Sequence, residues 1–185
     1  MNILYLHGYA SNFDPSSVKV QALEKIGTVS GINIDYTEGP KVAIEAAKQA
    51  CQEQCIDLVV GTSMGGWLAS HCGQNCSIPF VALNPAVEPA KSLTKYIGQS
   101  IDYTGTAYTI DAETVASYPP FATEGLGLVI CEEGDEVIDA SATAAALKPH
   151  YDVLLVPGGS HRFESLDSQL ELIQAHLRKA TQGKA

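Results

Sequence analysis

The stretch Val59–Ser70, VVGTSMGGWLAS, sets an apolar run against a serine with glycine two residues before it and two after, Gly61-Thr62-Ser63-Met64-Gly65. Leu58-Val59-Val60 reads as a buried strand, and MGGWLASHCG beyond the serine is compatible with a helix. A chain passing straight from strand to helix must turn sharply at the residue between them. Side chains at −2 and +2 would collide in that turn, so Gly61 and Gly65 are wanted there. The turn exposes the Ser63 hydroxyl and aims the first N–H groups of the helix at any negative charge that forms beside it. A serine hydroxyl is a poor nucleophile at neutral pH and needs that exposure, a base in reach and donors for an oxyanion. This is the pattern of a G-x-S-x-G nucleophile elbow.

Chance supplies about 0.1 such pentapeptide in a chain of this composition, so the context has to carry it. The competing reading is an ordinary Gly-Ser turn. The strand before Ser63 and the helix after it favour the elbow. A phosphate loop does not fit, because no lysine follows the glycines at the required spacing.

The chain has 185 residues, 45% of them hydrophobic and 17% charged, which suits one globular domain over 1–185. Its formal net charge of −10 argues against nucleic acid and anionic membranes as partners. No apolar stretch reaches the ~18 residues that span a bilayer. MNILYLHG has neither a basic start nor a long apolar segment, so the expected compartment is the cytoplasm. Cys51/Cys55 and Cys72/Cys76 are spaced i, i+4 rather than in the C-x₂-C turns of zinc sites. With Cys131 they read as small buried apolar side chains, and no metal or cofactor is expected.

Further apolar runs, rich in Val, Ile and Leu, lie at 2–6 (NILYL), 32–36 (INIDY), 79–84 (PFVALN), 126–131 (LGLVIC) and 152–157 (DVLLVP). With 57–61 (DLVVG) they make six candidate strands buried on both faces. Helices are expected at 16–27, ending in a glycine suited to a C-cap, and at 41–54, with Val42, Ile44, Ala46, Ala47, Ala50 and Cys51 on one face. Two more are expected at 140–150 and at 163–180, the last with Leu166, Leu170, Ile173 and Leu177 on one face. Strands alternating with helices imply a parallel sheet in a layered α/β domain. From about Glu88 to Gly125 there is no strand signal, only a helical piece at 89–100 followed by irregular sequence.

Three further pieces fall where a serine nucleophile needs them. LYLHGYASN (4–12) ends a strand at His7-Gly8, where the glycine lets the Tyr9 N–H face an oxyanion beside the Met64 N–H. The His7 side chain is read as structural. VICEEGDEVIDA (129–140) puts carboxylates past a strand end, and Asp135, directly after Gly134, is the candidate to orient a histidine. A solvated acidic turn is the alternative there. Asp139 reads as a helix N-cap and Glu136 as facing water. LLVPGGSHRFES (154–165) carries His161 in a glycine loop between a late strand and a helix, whereas His71, His150 and His176 read as structural or exposed. The order Ser63, Asp135, His161 is nucleophile, acid, histidine.

These motifs, with LNPAV (83–87), GDEVID (134–139) and GGSHRF (158–163), resemble the small α/β-hydrolases of the YqiA/YcfP-like esterase family over nearly the whole chain. The resemblance implies a serine hydrolase acting on carboxylic esters or thioesters, with Ser63, Asp135 and His161 at the triad positions. Residues and resemblance together predict a compact α/β-hydrolase fold with a mostly parallel six-stranded sheet of order 2-1-3-4-5-6. The strand order reverses where the His7-Gly8 loop and Ser63 emerge. Residues 88–125 would be a short cap-like insertion between strands 4 and 5. Its Tyr96, Tyr103, Tyr108, Tyr118 and Phe121 fit either an aromatic cap over an acyl pocket or the packing of a connecting segment. The expected substrate carries a small to medium acyl group. The rival readings are a non-catalytic ligand-binding protein on the same fold, and acyl transfer or perhydrolysis with the same triad.

Overall fold

A computed structural model describes residues 1–182. Four strands, β1 (Asn2–Leu6), β2 (Thr28–Gly31), β3 (Leu58–Thr62) and β4 (Phe80–Leu83), are followed by an antiparallel hairpin of β5 (Gly98–Ile101) and β6 (Ala107–Ile110), and then by β7 (Gly127–Glu132) and β8 (Asp152–Val156). The hairpin stands apart. The other six strands pair in parallel in the order β2-β1-β3-β4-β7-β8. This is the expected six-stranded sheet, its labels shifted only because the hairpin intervenes in sequence. β1 lies between β2 and β3, so the order reverses there, and the loops after β1 and β3 leave the same edge side by side.

Successive side chains of a strand point to opposite faces. Leu4, Leu6, Val59, Ala82 and Val129 accordingly pack on one face with Ala47, Trp67 and Cys72. Ile3, Tyr5, Leu58, Val60, Val81 and Leu128 pack on the other with Val20, Leu23, Leu170 and Ile173. The first face is covered by α2 (Pro40–Glu53), α3 (Met64–Cys76) and α6 (Ala140–Leu147), the second by α1 (Val18–Glu24) and α7 (Leu170–Gln182); the short α4 (Pro89–Ser92) and α5 (Ala112–Ala116) lie in the 88–125 segment. Three layers follow. Among the described residues no helix is long and apolar enough to cross a membrane.

Several local expectations need correction. The second strand is 28–31, not 32–36: Ile34 and Tyr36 are buried as loop and 3₁₀ residues, with Asp35 capping the turn. The 88–125 segment does contain strands. β5 and β6 are largely solvent-exposed, so they lack the apolar runs of the buried strands. The helix expected at 89–100 is four residues long, followed by a 3₁₀ turn, and 98–100 belong to β5. The face of α2 is shifted: Ala43, Ala47, Ala50 and Cys51 are buried, while Val42 is exposed. α1 ends at Lys25 in right-handed backbone, and Gly27 is not its cap; a side chain there would meet the Met1 carbonyl. Of the cysteines, Cys51, Cys72 and Cys131 are buried, but Cys55 is exposed and Cys76 half-buried.

The aromatic residues of 88–125 divide. Tyr118 and Phe121 are buried core, Tyr118 donating its hydroxyl to Tyr36 O at 2.6 Å. Tyr96 and Tyr108 pack on the Tyr9 ring, with centroids 5.0 and 5.6 Å away. Tyr103 is 81% exposed.

Candidate active site

Ser63 sits between β3 and α3 with φ 58° and ψ −119°, a strained conformation for a residue with a side chain. The neighbours hold it there. A Cβ on Gly61 would overlap the Gly65 carbonyl, and one on Gly65 would overlap the Leu6 carbonyl. The Ser63 N–H donates to Leu83 O at 3.0 Å, and Ser63 O accepts from Gly66, Trp67 and Ala86 N–H. Met64 is the first residue of α3, so its N–H has no acceptor within the helix.

His161, in the loop after β8, points its Nε2 at Ser63 Oγ, 3.0 Å away. Its Nδ1 lies 2.8 Å from Asp135 Oδ2 and 3.0 Å from Oδ1. The Asp135 side chain is 1% exposed and the His161 ring 21%. Asp135 Oδ1 also accepts from the N–H groups of Val137 and Ile138, each at 2.8 Å. Burial pushes the Asp135 pKa up, but the hydrogen bonds from His161, Ile138 and Val137 outweigh it and hold the carboxyl below its ordinary range. An ionised Asp135 can only accept, so His161 Nδ1–H donates to it, which leaves Nε2 as the acceptor for the serine hydroxyl. Ser63, His161 and Asp135 are thus brought together in one continuous hydrogen-bonded line.

Asp139 does not reach the histidine; it caps α6, accepting from Ala142 N–H at 2.9 Å. Glu136 corrects the expectation that it faces only water, since its Oε2 accepts the His161 backbone N–H at 3.0 Å. Gly134 has no unusual φ. It is small because a side chain would strike the Gly159 carbonyl of the histidine loop.

On the other side of Ser63, a Cβ on Gly8 would lie 3.9 Å from Ser63 Oγ, which brings the Gly8-Tyr9 backbone alongside the Ser63 hydroxyl. His7 braces that loop. Its Nδ1 donates to Gly8 O at 2.8 Å, its Nε2 accepts from Ile34 N–H at 2.9 Å, and its carbonyl accepts the Tyr36 hydroxyl. Burial lowers the His7 pKa, so the ring is held neutral. Two depressions lie near this site, neither of them lined by Ser63 or His161. One, of about 460 Å³, lies beyond Tyr9 and is lined by polar groups such as Asn12, Asn33 and Asp35. The other, of about 350 Å³, begins at Ala86 and runs between Val87 and α6, past Ile138 and Ala142. Among the described residues no three His, Cys, Asp or Glu side chains are placed to hold a metal.

Sequence reading missed Glu132 and Asn84. Glu132, the last residue of β7, is fully buried beneath the histidine loop, and Asn84, just past β4 with φ 43°, bonds both to it and to that loop. The available signal was a charge at the very end of an apolar run.

A model of the uncharacterised protein family UPF0227 matches residues 2–178. The chain belongs to that family. This UPF0227 member is 27% identical over 179 residues to the UPF0227 protein YcfP of Salmonella gallinarum, covering 94% of the chain and 97% of the relative. Among solved structures, the UPF0227 chain resembles Est1E from Butyrivibrio proteoclasticus with a TM-score of 0.72 at 15% identity, covering 97% of this chain and 88% of that one. It also resembles the monoacylglycerol lipase of Paleococcus ferrophilus with a TM-score of 0.70 at 12% identity, covering 97% and 94%. Its fold is that of the α/β-hydrolases.

Proposed function

We propose that the protein is a serine hydrolase that cleaves carboxylic esters or thioesters of small to medium acyl groups through an acyl-enzyme, without a cofactor. The observation that carries this reading is the line Ser63 Oγ–His161 Nε2, 3.0 Å, and His161 Nδ1–Asp135 Oδ2, 2.8 Å, set on a strained elbow. Ser63 Oγ attacks the acyl carbon while His161 Nε2 takes its proton, and Asp135 stabilises the imidazolium that results. The carbonyl oxygen becomes an oxyanion, met by the N–H groups of Tyr9 and Met64. The tetrahedral adduct expels the alcohol or thiol, which leaves with the proton from His161, and the acyl group stays on Ser63. Water then repeats the sequence and releases the carboxylic acid.

The groove past Ile138 and Ala142 is proposed as the acyl site, since its lining is mostly apolar and it begins where Ala86 N–H meets Ser63 O at 3.1 Å. Residues 88–125 act as a short cap, with the Tyr9-Tyr96-Tyr108 cluster joining it to the oxyanion loop. Hydrolysis of p-nitrophenyl esters by the purified protein tests the reading. Activity on acetate and butyrate esters, abolished by Ser63→Ala and by His161→Ala in folded protein, is the expected result. Undiminished hydrolysis by both variants would reject it.

A further inference from the structure

The loop at 157–165 that carries His161 has no regular structure, and Gly158, Gly159 and Phe163 all have positive φ. Its order comes instead from Glu132. That residue is 0% exposed and has no ion-pair partner among the described residues. The Lys19 ammonium feels its charge but bonds Arg162 O instead, and a buried carboxylate without a direct ion pair must be satisfied by hydrogen bonds. Here Oε2 accepts from the N–H groups of Ser160 at 2.8 Å and Glu164 at 3.0 Å, and Oε1 from that of Ser165 at 2.6 Å. These donors bracket His161, one residue before it and three and four after. Asn84 completes the clamp: its Oδ1 accepts from Glu132 N–H at 2.8 Å, and its Nδ2 donates to Ser160 O at 2.9 Å. Gly159 leaves no room for a Cβ, which would overlap the Glu132 carboxylate. Burial pushes the Glu132 pKa up, and the donors of Ser165, Ser160 and Glu164 more than offset it, so the charged form is the one held.

We propose that Glu132 is the positioning residue of His161: its carboxylate fixes the loop so that the imidazole is already aligned between Asp135 and Ser63. This rests on the hydrolase reading above for its kinetic consequence but not for its geometry. Glu132 touches neither substrate nor the reacting atoms. It acts through the backbone on both sides of the base, and a displacement of about 1 Å there is enough to cost on the order of 10²-fold in rate.

Two variants test it. Glu132→Gln keeps the shape but replaces one acceptor oxygen with an amino group facing N–H donors. Glu132→Asp keeps the charge but draws the carboxylate back by one methylene from the N–H groups of Ser160, Glu164 and Ser165. Each is read in two ways: kcat, KM and the rate of Ser63 labelling by a fluorophosphonate, and the carbon-bound Cε1 ring signal of His161 by NMR. The expected result is a fall of about 10²-fold in kcat and in labelling rate with KM within about twofold of the parent, because ground-state binding is untouched. The His161 ring signal, single and narrow in the parent, broadens or doubles in the variants. A folded Glu132→Gln protein with parental labelling rate and an unchanged ring signal overturns the proposal. If Glu132→Gln does not fold, Glu132→Asp decides by the same two readings. A parent protein that takes no label on Ser63 refutes the hydrolase reading, and the ring signal still decides the positioning role.

Discussion

Asp135 and Asp139 stand four residues apart, and both accept backbone N–H groups, yet only Asp135 also meets the imidazole. Asp135→Asn offers one acceptor where two oxygens now serve, and it lets the ring settle in the wrong tautomer. Its kcat should fall by about 10⁴, the size of the same change in the serine proteases. Asp139→Asn should keep kcat within a small factor, because Asn caps helices about as well as Asp. Measured on folded proteins, the reverse ranking would move the acid to Asp139. Gly61→Ala forces a Cβ into the Gly65 carbonyl and should cost about 1–3 kcal/mol or more in urea unfolding; no loss would mean the elbow is looser than described. Ser63, Asp135 and His161 were legible because each follows a strand end with glycine nearby, and the chain order fits one mechanism. Glu132 was not. In the string Glu132-Glu133-Gly134-Asp135-Glu136 the one local sign is a charge at the very end of an apolar run, which does not separate a buried carboxylate at the last strand position from a solvated one such as Glu133.

At the scale of elements, the strands buried on both faces announced themselves as apolar runs, while β2, β5 and β6 did not. β2 is an edge strand of Thr, Val, Ser and Gly, and the hairpin is mostly exposed, so burial wrote no pattern into either. What fixes the hairpin is tertiary: Tyr103 N–H donates to Ala10 O at 3.1 Å, and Tyr96 and Tyr108 pack on Tyr9. The groove beside α6 supplies a prediction about selectivity. Ala142 is exposed on that helix and lines the groove, so Ala142→Phe shortens it with little effect on folding. The ratio of kcat/KM for octanoate over acetate p-nitrophenyl esters should drop by about tenfold, the scale of losing contact with one or two methylenes. An unchanged ratio would assign the acyl chain to the other depression, beyond Tyr9.

For the molecule as a whole, the carboxyls under the histidine loop should govern acid stability. Both Asp135 and Glu132 have pKa values depressed below their ordinary 3.8 and 4.5. A depressed carboxyl contributes stability that is fully present above its unfolded value and is lost as pH falls through the folded one. The melting temperature should therefore hold to about pH 5 and then decline as pH drops further. In Glu132→Gln part of that acid dependence should be missing, and an identical slope would show that the Glu132 carboxyl titrates alike in the folded and unfolded states, against the depressed value. The fold as a whole was readable from its alternation of buried runs and amphipathic stretches, because a layered parallel sheet needs that alternation along the entire chain. The central claim is that Ser63 is a nucleophile activated by His161 and Asp135. Its most direct test is reaction of the purified protein with a fluorophosphonate, followed by peptide mass spectrometry. The account predicts a single adduct on Ser63, absent in His161→Ala on the same timescale. An adduct on any other serine, or equal labelling of Ser63 without His161, would contradict it.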